Sequence, residues 1–122
     1  MNNVMTIGEH RAVITFDPEI SMFRGEFVGL NGGADFYAPD VEGLQREGET
    51  SLRVFLEACR QRGLEPNKHY SGKFVVRLDS DVHEAAALAA AARGKSLNQW
   101  AVETLREAAL DVTHRRGNPV QA

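Results

Sequence analysis

The chain has 122 residues, 43% of them hydrophobic, and a formal net charge of −3. That length holds one compact domain or two very small ones, and the net charge argues against nucleic-acid binding by the chain as a whole. A single cysteine, Cys59, excludes an intrachain disulfide and most cysteine metal sites.

Met1 to Glu9 reads as a weak start. His10 to Asp17 is rich in β-branched and aromatic residues and predicts a strand. Asp17-Pro18-Glu19 ends it as a polar turn. Phe23 to Leu30 predicts a second strand, in which Gly25 and Gly29 allow a bulge or close backbone approach. Asn31-Gly32-Gly33 is a hairpin signal, and Ala34 to Ala38 predicts a short third strand. The expected unit is a three-stranded antiparallel meander. Asp40 then suits an N-cap, with a helix from Val41 to about Arg62 closed by Gly63 and Pro66. Val41, Leu44, Leu52, Phe55 and Cys59 form its apolar stripe, to be laid on one sheet face. Cys59 on that stripe reads as a buried, inert thiol. Gly43 and Gly48 weaken the first half of the helix.

Glu65 to Tyr70 is a short polar connection without a Gly/Ser linker, so the parts on either side should be closely coupled. Lys73 to Leu78 predicts another strand, with Phe74, Val76 and Leu78 on one face and Lys73, Val75 and Arg77 on the other. A helix should start near Ser80 or Asp81, with Val82, Ala85, Ala86, Leu88, Ala89 and Ala92 as its apolar positions. Gly94 should end it as a left-handed residue. Ser96-Leu97-Asn98-Gln99 has the capping-box pattern, and a second helix should run from Leu97 to about Leu110. The stretch from Thr113 to Ala122 is polar and reads as part of a disordered tail.

One strand and two small helices cannot bury that apolar strand face alone, and a lone strand leaves its backbone groups unpaired. Pairing with the same strand of a second copy solves both problems. Ser71 to Ala109 thereby resembles the ribbon-helix-helix family. The resemblance implies a homodimer joined through an antiparallel ribbon, with Phe74, Val76, Leu78, Leu97, Trp100, Ala101 and Leu105 at the dimer interface. It implies that Lys73, Val75 and Arg77 enter the DNA major groove, where Val75 can touch a thymine methyl. The amides of Ser96, Leu97 and Asn98 would hold a phosphate at a helix start. The plain alternative is that Lys73 and Arg77 are solvated charges on a strand edge.

The charge divides along the chain. Residues 1–66 carry six Lys/Arg against eleven Asp/Glu, −5, and residues 67–122 carry eight against six, +2. An acidic part followed by a mildly basic part suggests two tasks. From Arg11 to Ala109 the sequence resembles the HicB family of antitoxins, chiefly in Tyr70-Ser71-Gly72-Lys73-Phe74, in Arg77-Leu78 followed by His83, and in Ser96-Leu97-Asn98. Ile14-Thr15-Phe16-Asp17, Gly29-Leu30 and Val41-Glu42-Gly43-Leu44 match more loosely. The resemblance implies an α+β fold. Residues 1–66 would form a partial ribonuclease-H-like or double-stranded-RNA-binding-like toxin-binding domain. Residues 67–110 would form the ribbon-helix-helix domain, and residues 111–122 a tail. The implied function is an antitoxin that neutralises a HicA-type messenger-RNA ribonuclease and represses its own operon by binding operator DNA. Dimers could pair into tetramers. The acidic first part suits a cationic partner. The alternative reading is a stand-alone ribbon-helix-helix regulator whose first domain senses a ligand or only assembles tetramers.

Other chemistry has weaker support. Asp17 and Glu19 with Asp35 or Asp40 could be carboxylates of a metal-dependent nuclease, although Asp17-Pro18-Glu19 is more simply a turn. His10, His69, His83 and His114 lack metal-ligand spacing. His83 reads as a packing or capping residue, His69 as a solvated loop residue near the ribbon, and Trp100 as core or interface filling. No phosphate loop, CxxC pair or nucleophile motif is present, so neither enzymatic activity nor a cofactor nor a metal is expected. Without a signal-peptide core or a bilayer-length apolar run, the protein is expected to be cytoplasmic and to have no membrane partner.

Overall fold

The structure, a computed structural model, describes residues 3–114, with side chains to Asp111. The described residues form an α+β fold with one four-stranded antiparallel sheet and three helices, and the chain divides into two compact units at Ser71/Gly72. No helix among the described residues is long and apolar enough to cross a membrane.

In the first unit the strands are β1 (Val4–Ile7), β2 (His10–Asp17), β3 (Met22–Val28) and β4 (Asp35–Ala38), paired in chain order. The sheet therefore has four strands rather than the expected three. Met5 and Ile7 alternate with Val4 and Thr6, and Ile7 pairs with His10 across Gly8-Glu9. Gly8, at φ +62°, supplies the left-handed conformation that a two-residue hairpin needs. The weak-looking start is thus the first arm of a hairpin. Ile7 is fully buried, and Met5 packs against the core.

Helix α1 (Val41–Arg62) has the expected bounds because both ends are chemically specified. The Asp40 carboxylate accepts the Gly43 N–H at 2.7 Å. At the other end Gly63 is left-handed, and the Leu64 N–H donates to the Cys59 carbonyl at 2.9 Å. Leu44, Leu52 and Cys59 are buried, and Phe55 packs at the edge of the core. Val41 departs from the expected stripe and is 65% exposed, because it opens the helix before the helix lies over the sheet. Gly43 and Gly48 are buried instead. A Cβ on Gly48 would stand 2.1 Å from Ile7 Cδ1, so this glycine lets the helix press onto the sheet. Gly25 similarly leaves room for the Phe36 ring of its partner strand.

Residues 29–34 do not form a tight hairpin. Gly29, at φ +89°, ends β3, Leu30 bridges to Asn67, and the Asn31 amide Nδ2 donates to the carbonyls of Glu65 and Asn67 at 3.0 and 2.9 Å. The Lys68 N–H donates to the Gly29 carbonyl at 2.8 Å. These bonds hold residues 65–68 to the first unit, which is why the division falls after Ser71 rather than at the expected 66/67.

The second unit contains α2 (Ser80–Ala92) and α3 (Leu97–His114). Asp79, not Ser80 or Asp81, is the N-cap of α2, and its side chain makes no capping bond. Gly94 is left-handed at φ +68°, with the Lys95 N–H donating to the Ala90 carbonyl and the Gly94 N–H to that of Ala91. That is the paired closure of a Schellman end. Helix α3 continues past Leu110 to His114, so the first residues of the expected tail are helical; residues 115–122 lie outside the described residues. Of the expected apolar positions of α2, Ala86 is buried and Leu88 is exposed, and Ala90 is buried besides.

Candidate functional site

The segment expected to form the ribbon, residues 73–78, carries no regular secondary structure and belongs to neither the sheet nor a helix. A strand is defined by a hydrogen-bonded neighbour, and a single chain offers this segment no second strand. Its apolar residues are therefore open to solvent: Phe74 is 74% exposed, Val76 is 55% exposed, and Leu78 is half exposed. Val75 is nearly fully exposed, and Lys73 and Arg77 are exposed too.

Below this segment lies a groove of about 630 Å³. Val76 and Leu78 form one wall, Val82, His83 and Ala86 of α2 a second, and Leu97, Asn98, Trp100, Ala101, Thr104 and Leu105 of α3 a third. Six of the seven expected interface residues thus meet around one cavity; Phe74 is not part of its lining. Val82, Ala86 and Thr104 join them. The signal for these three was helical spacing, since Ala86 stands one turn from Val82 and Thr104 one turn from Trp100. Only Ala86 and Ala90 are buried hydrophobics in this unit among the described residues. The unit presents Leu78, Leu97, Trp100 and Leu105 to the groove and, among the described residues, has almost no closed core of its own.

At the start of α3 the capping box is complete. The Gln99 N–H donates to Ser96 Oγ at 3.0 Å, and the Ser96 N–H donates to Gln99 Oε1 at 3.0 Å. The Ser96 amide is therefore occupied within the cap. The Leu97 and Asn98 amides stand in the first turn at the positive end of the helix dipole. Lys95 is paired with Glu103.

The carboxylates weighed as a nuclease centre are not brought together. Asp17 pairs in register with Met22 and accepts the Glu19 N–H at 3.0 Å, whereas Asp35 lies opposite Glu26, toward the other end of β3. Asp40 caps α1. Arg24 donates to Asp35, and this hydrogen bond, followed by the Asp35 charge, holds the guanidinium above its ordinary pKa. Among the described residues no group of three or more His, Cys, Asp or Glu could hold a metal ion. His10 is bonded through Nε2 to Asn67 Oδ1 at 3.1 Å, His69 is exposed, and His83 lines the groove.

The model of the HicB family matches residues 55–105, from the second half of α1 through the first half of α3. That match supports the resemblance seen in the sequence and, with it, a role related to toxin–antitoxin systems. No curated protein and no solved structure matches the chain.

Proposed function

We propose that the protein is the antitoxin of a toxin–antitoxin pair. Its first unit neutralises a small basic messenger-RNA ribonuclease of the HicA type, and its second unit represses the operon as a ribbon-helix-helix dimer. The observation that carries this reading is the unfinished second unit. Phe74, Val76 and Leu78 are exposed above an apolar groove lined by Leu97, Trp100, Ala101 and Leu105. A second copy of the same segment would pair the two strands and cover the groove. That pairing would set Lys73, Val75 and Arg77 on the outer ribbon face, where a two-stranded ribbon fits the major groove. Phosphate would be met by the Leu97 and Asn98 amides, since the Ser96 amide serves the cap. Support for the toxin comes from the HicB match and from the −5 charge of residues 1–66, six Lys/Arg against eleven Asp/Glu.

The test looks beside the gene for a short reading frame that encodes a basic protein and co-expresses the chain with it. The chain should relieve growth arrest by that neighbour, form a stoichiometric complex with it, and shift its own promoter DNA. A chain that shifts the promoter yet neither binds nor relieves the neighbour would be a stand-alone regulator. A chain that does none of these overturns the proposal.

A further inference from the structure

The first unit carries an apolar surface that its own helix leaves uncovered. On β2 and β3 the residues facing α1 alternate as Ala12, Ile14, Phe16 and Phe23, Gly25, Phe27. The cross-strand row Phe16, Phe23 and Ala38 lies at the end of the sheet that holds the β2–β3 turn. Ala38 is buried, but Phe16 is 55% exposed although its ring packs edge-on against Phe23 at 5.2 Å. At the tip of the turn Ile20 is 51% exposed. The turn is shaped in advance: the Asp17 carboxylate accepts the Glu19 N–H, and Ser21 holds a left-handed φ of 53°. A partner would not have to order it, which lowers the cost of binding.

The charge around this end is mainly negative, with Arg46 of α1, whose guanidinium reaches back to Gly43, as its nearby cation. Helix α1 is neutral, with four arginines against four glutamates, so the acidity of the unit sits on the sheet and its turns. Residues 9–40 hold six acids against two arginines, −4. Asp17 and Glu19 flank the tip. By the Phe23–Ala38 register, Asp40 and Glu42 follow β4 at the same end. The open sheet face differs, because there Arg24 is paired with Glu26 and Asp35.

We infer that this end of the sheet, built from the β2–β3 turn and the β4–α1 junction, is the docking surface for a basic protein. Apolar side chains of the partner pack on Phe16 and Ile20 while its cations meet Asp17, Glu19, Asp40 and Glu42. The inference rests on the antitoxin reading, which makes that protein the basic neighbour. A second copy fits poorly, since pairing two such ends would set carboxylates against carboxylates.

The experiment titrates the full-length chain with the purified neighbour, inactivated at its catalytic residue. Ile20→Lys and Glu19→Lys are compared with Val54→Lys, an exposed apolar position of α1. Ile20→Lys should weaken binding about tenfold or more. Glu19→Lys should slow association and flatten its salt dependence, and Val54→Lys should bind as the unaltered chain does. All three alter solvent-exposed side chains, and circular dichroism checks their folding. Unaltered binding by both Ile20→Lys and Glu19→Lys overturns the surface while the antitoxin reading stands. Loss of tetramers in Ile20→Lys with partner affinity intact overturns it in favour of a second copy. A neighbour that does not bind the unaltered chain removes the antitoxin reading and this surface with it.

Discussion

Gly48 shows how one missing methyl sets the distance between a helix and a sheet. Its absent Cβ would fall 2.1 Å from Ile7 Cδ1 and 3.1 Å from the Phe36 ring. Gly48→Ala should therefore lower stability by about 1–3 kcal/mol, despite alanine's better helix propensity, because the core must move to admit it. A urea midpoint unchanged or raised would show that the core gives way freely. From sequence this glycine reads only as a weak point in a helix, since its partner, Ile7, lies in a strand far away in the chain. Asp40 and Gly63 were legible because capping chemistry is local, and Val41 was misread because periodicity does not say where a helix first meets its sheet. Arg77 belongs to the same scale. Arg77→Ala should weaken operator binding by about 1–3 kcal/mol if the side chain reads a base, and should relax the preference at that base pair. A gel shift with matched and scrambled operators separates this from the loss of a plain solvated charge, which would leave both unchanged.

Among the elements, the helix ends are the most specified and the strands the least. Ser96→Ala removes the acceptor for the Gln99 N–H and should cost about 1 kcal/mol, seen as a lower thermal midpoint. An unaffected midpoint would mean that water replaces the cap at no cost. The Ser-Leu-Asn-Gln pattern announced this box because its partners are three residues apart. Strand β1 escaped notice because its alternation spans only four residues. Its clearest signal was Gly8, standing between Ile7 and the β-branched run that follows His10. The segment 73–78 is the reverse case: its alternation is plain in the sequence, yet one chain gives it no strand. Side-chain alternation is written in a sequence, whereas a ladder requires a second backbone.

For the whole molecule the contrast lies between a unit with its own core and a unit without one. The first unit closes Ile7, Phe27, Leu30, Phe36, Leu44 and Leu52 into one cluster. The second buries only two alanines among the described residues. In the proposed dimer its stability should rise with protein concentration, because association would add the missing apolar contact. Phe74→Asp should abolish the dimer by placing an unpaired charge in the shared core, with sedimentation as the readout. A stable dimer in that variant would argue against an intertwined ribbon. Deleting residues 72–122 should remove both dimer and DNA binding and leave the first unit folded and able to bind the toxin.

The order of the strands carries a last consequence. Each strand of the sheet pairs with its neighbour in the chain, so every ladder is closed by contacts local in sequence, and such contacts form early. The first unit is complete once Ser71 has been made. In the proposed dimer, the second is completed only by another chain. During synthesis, the part proposed to bind the toxin is therefore ready before the part proposed to bind DNA, and a nascent chain could silence its toxin well before it can take part in silencing its gene.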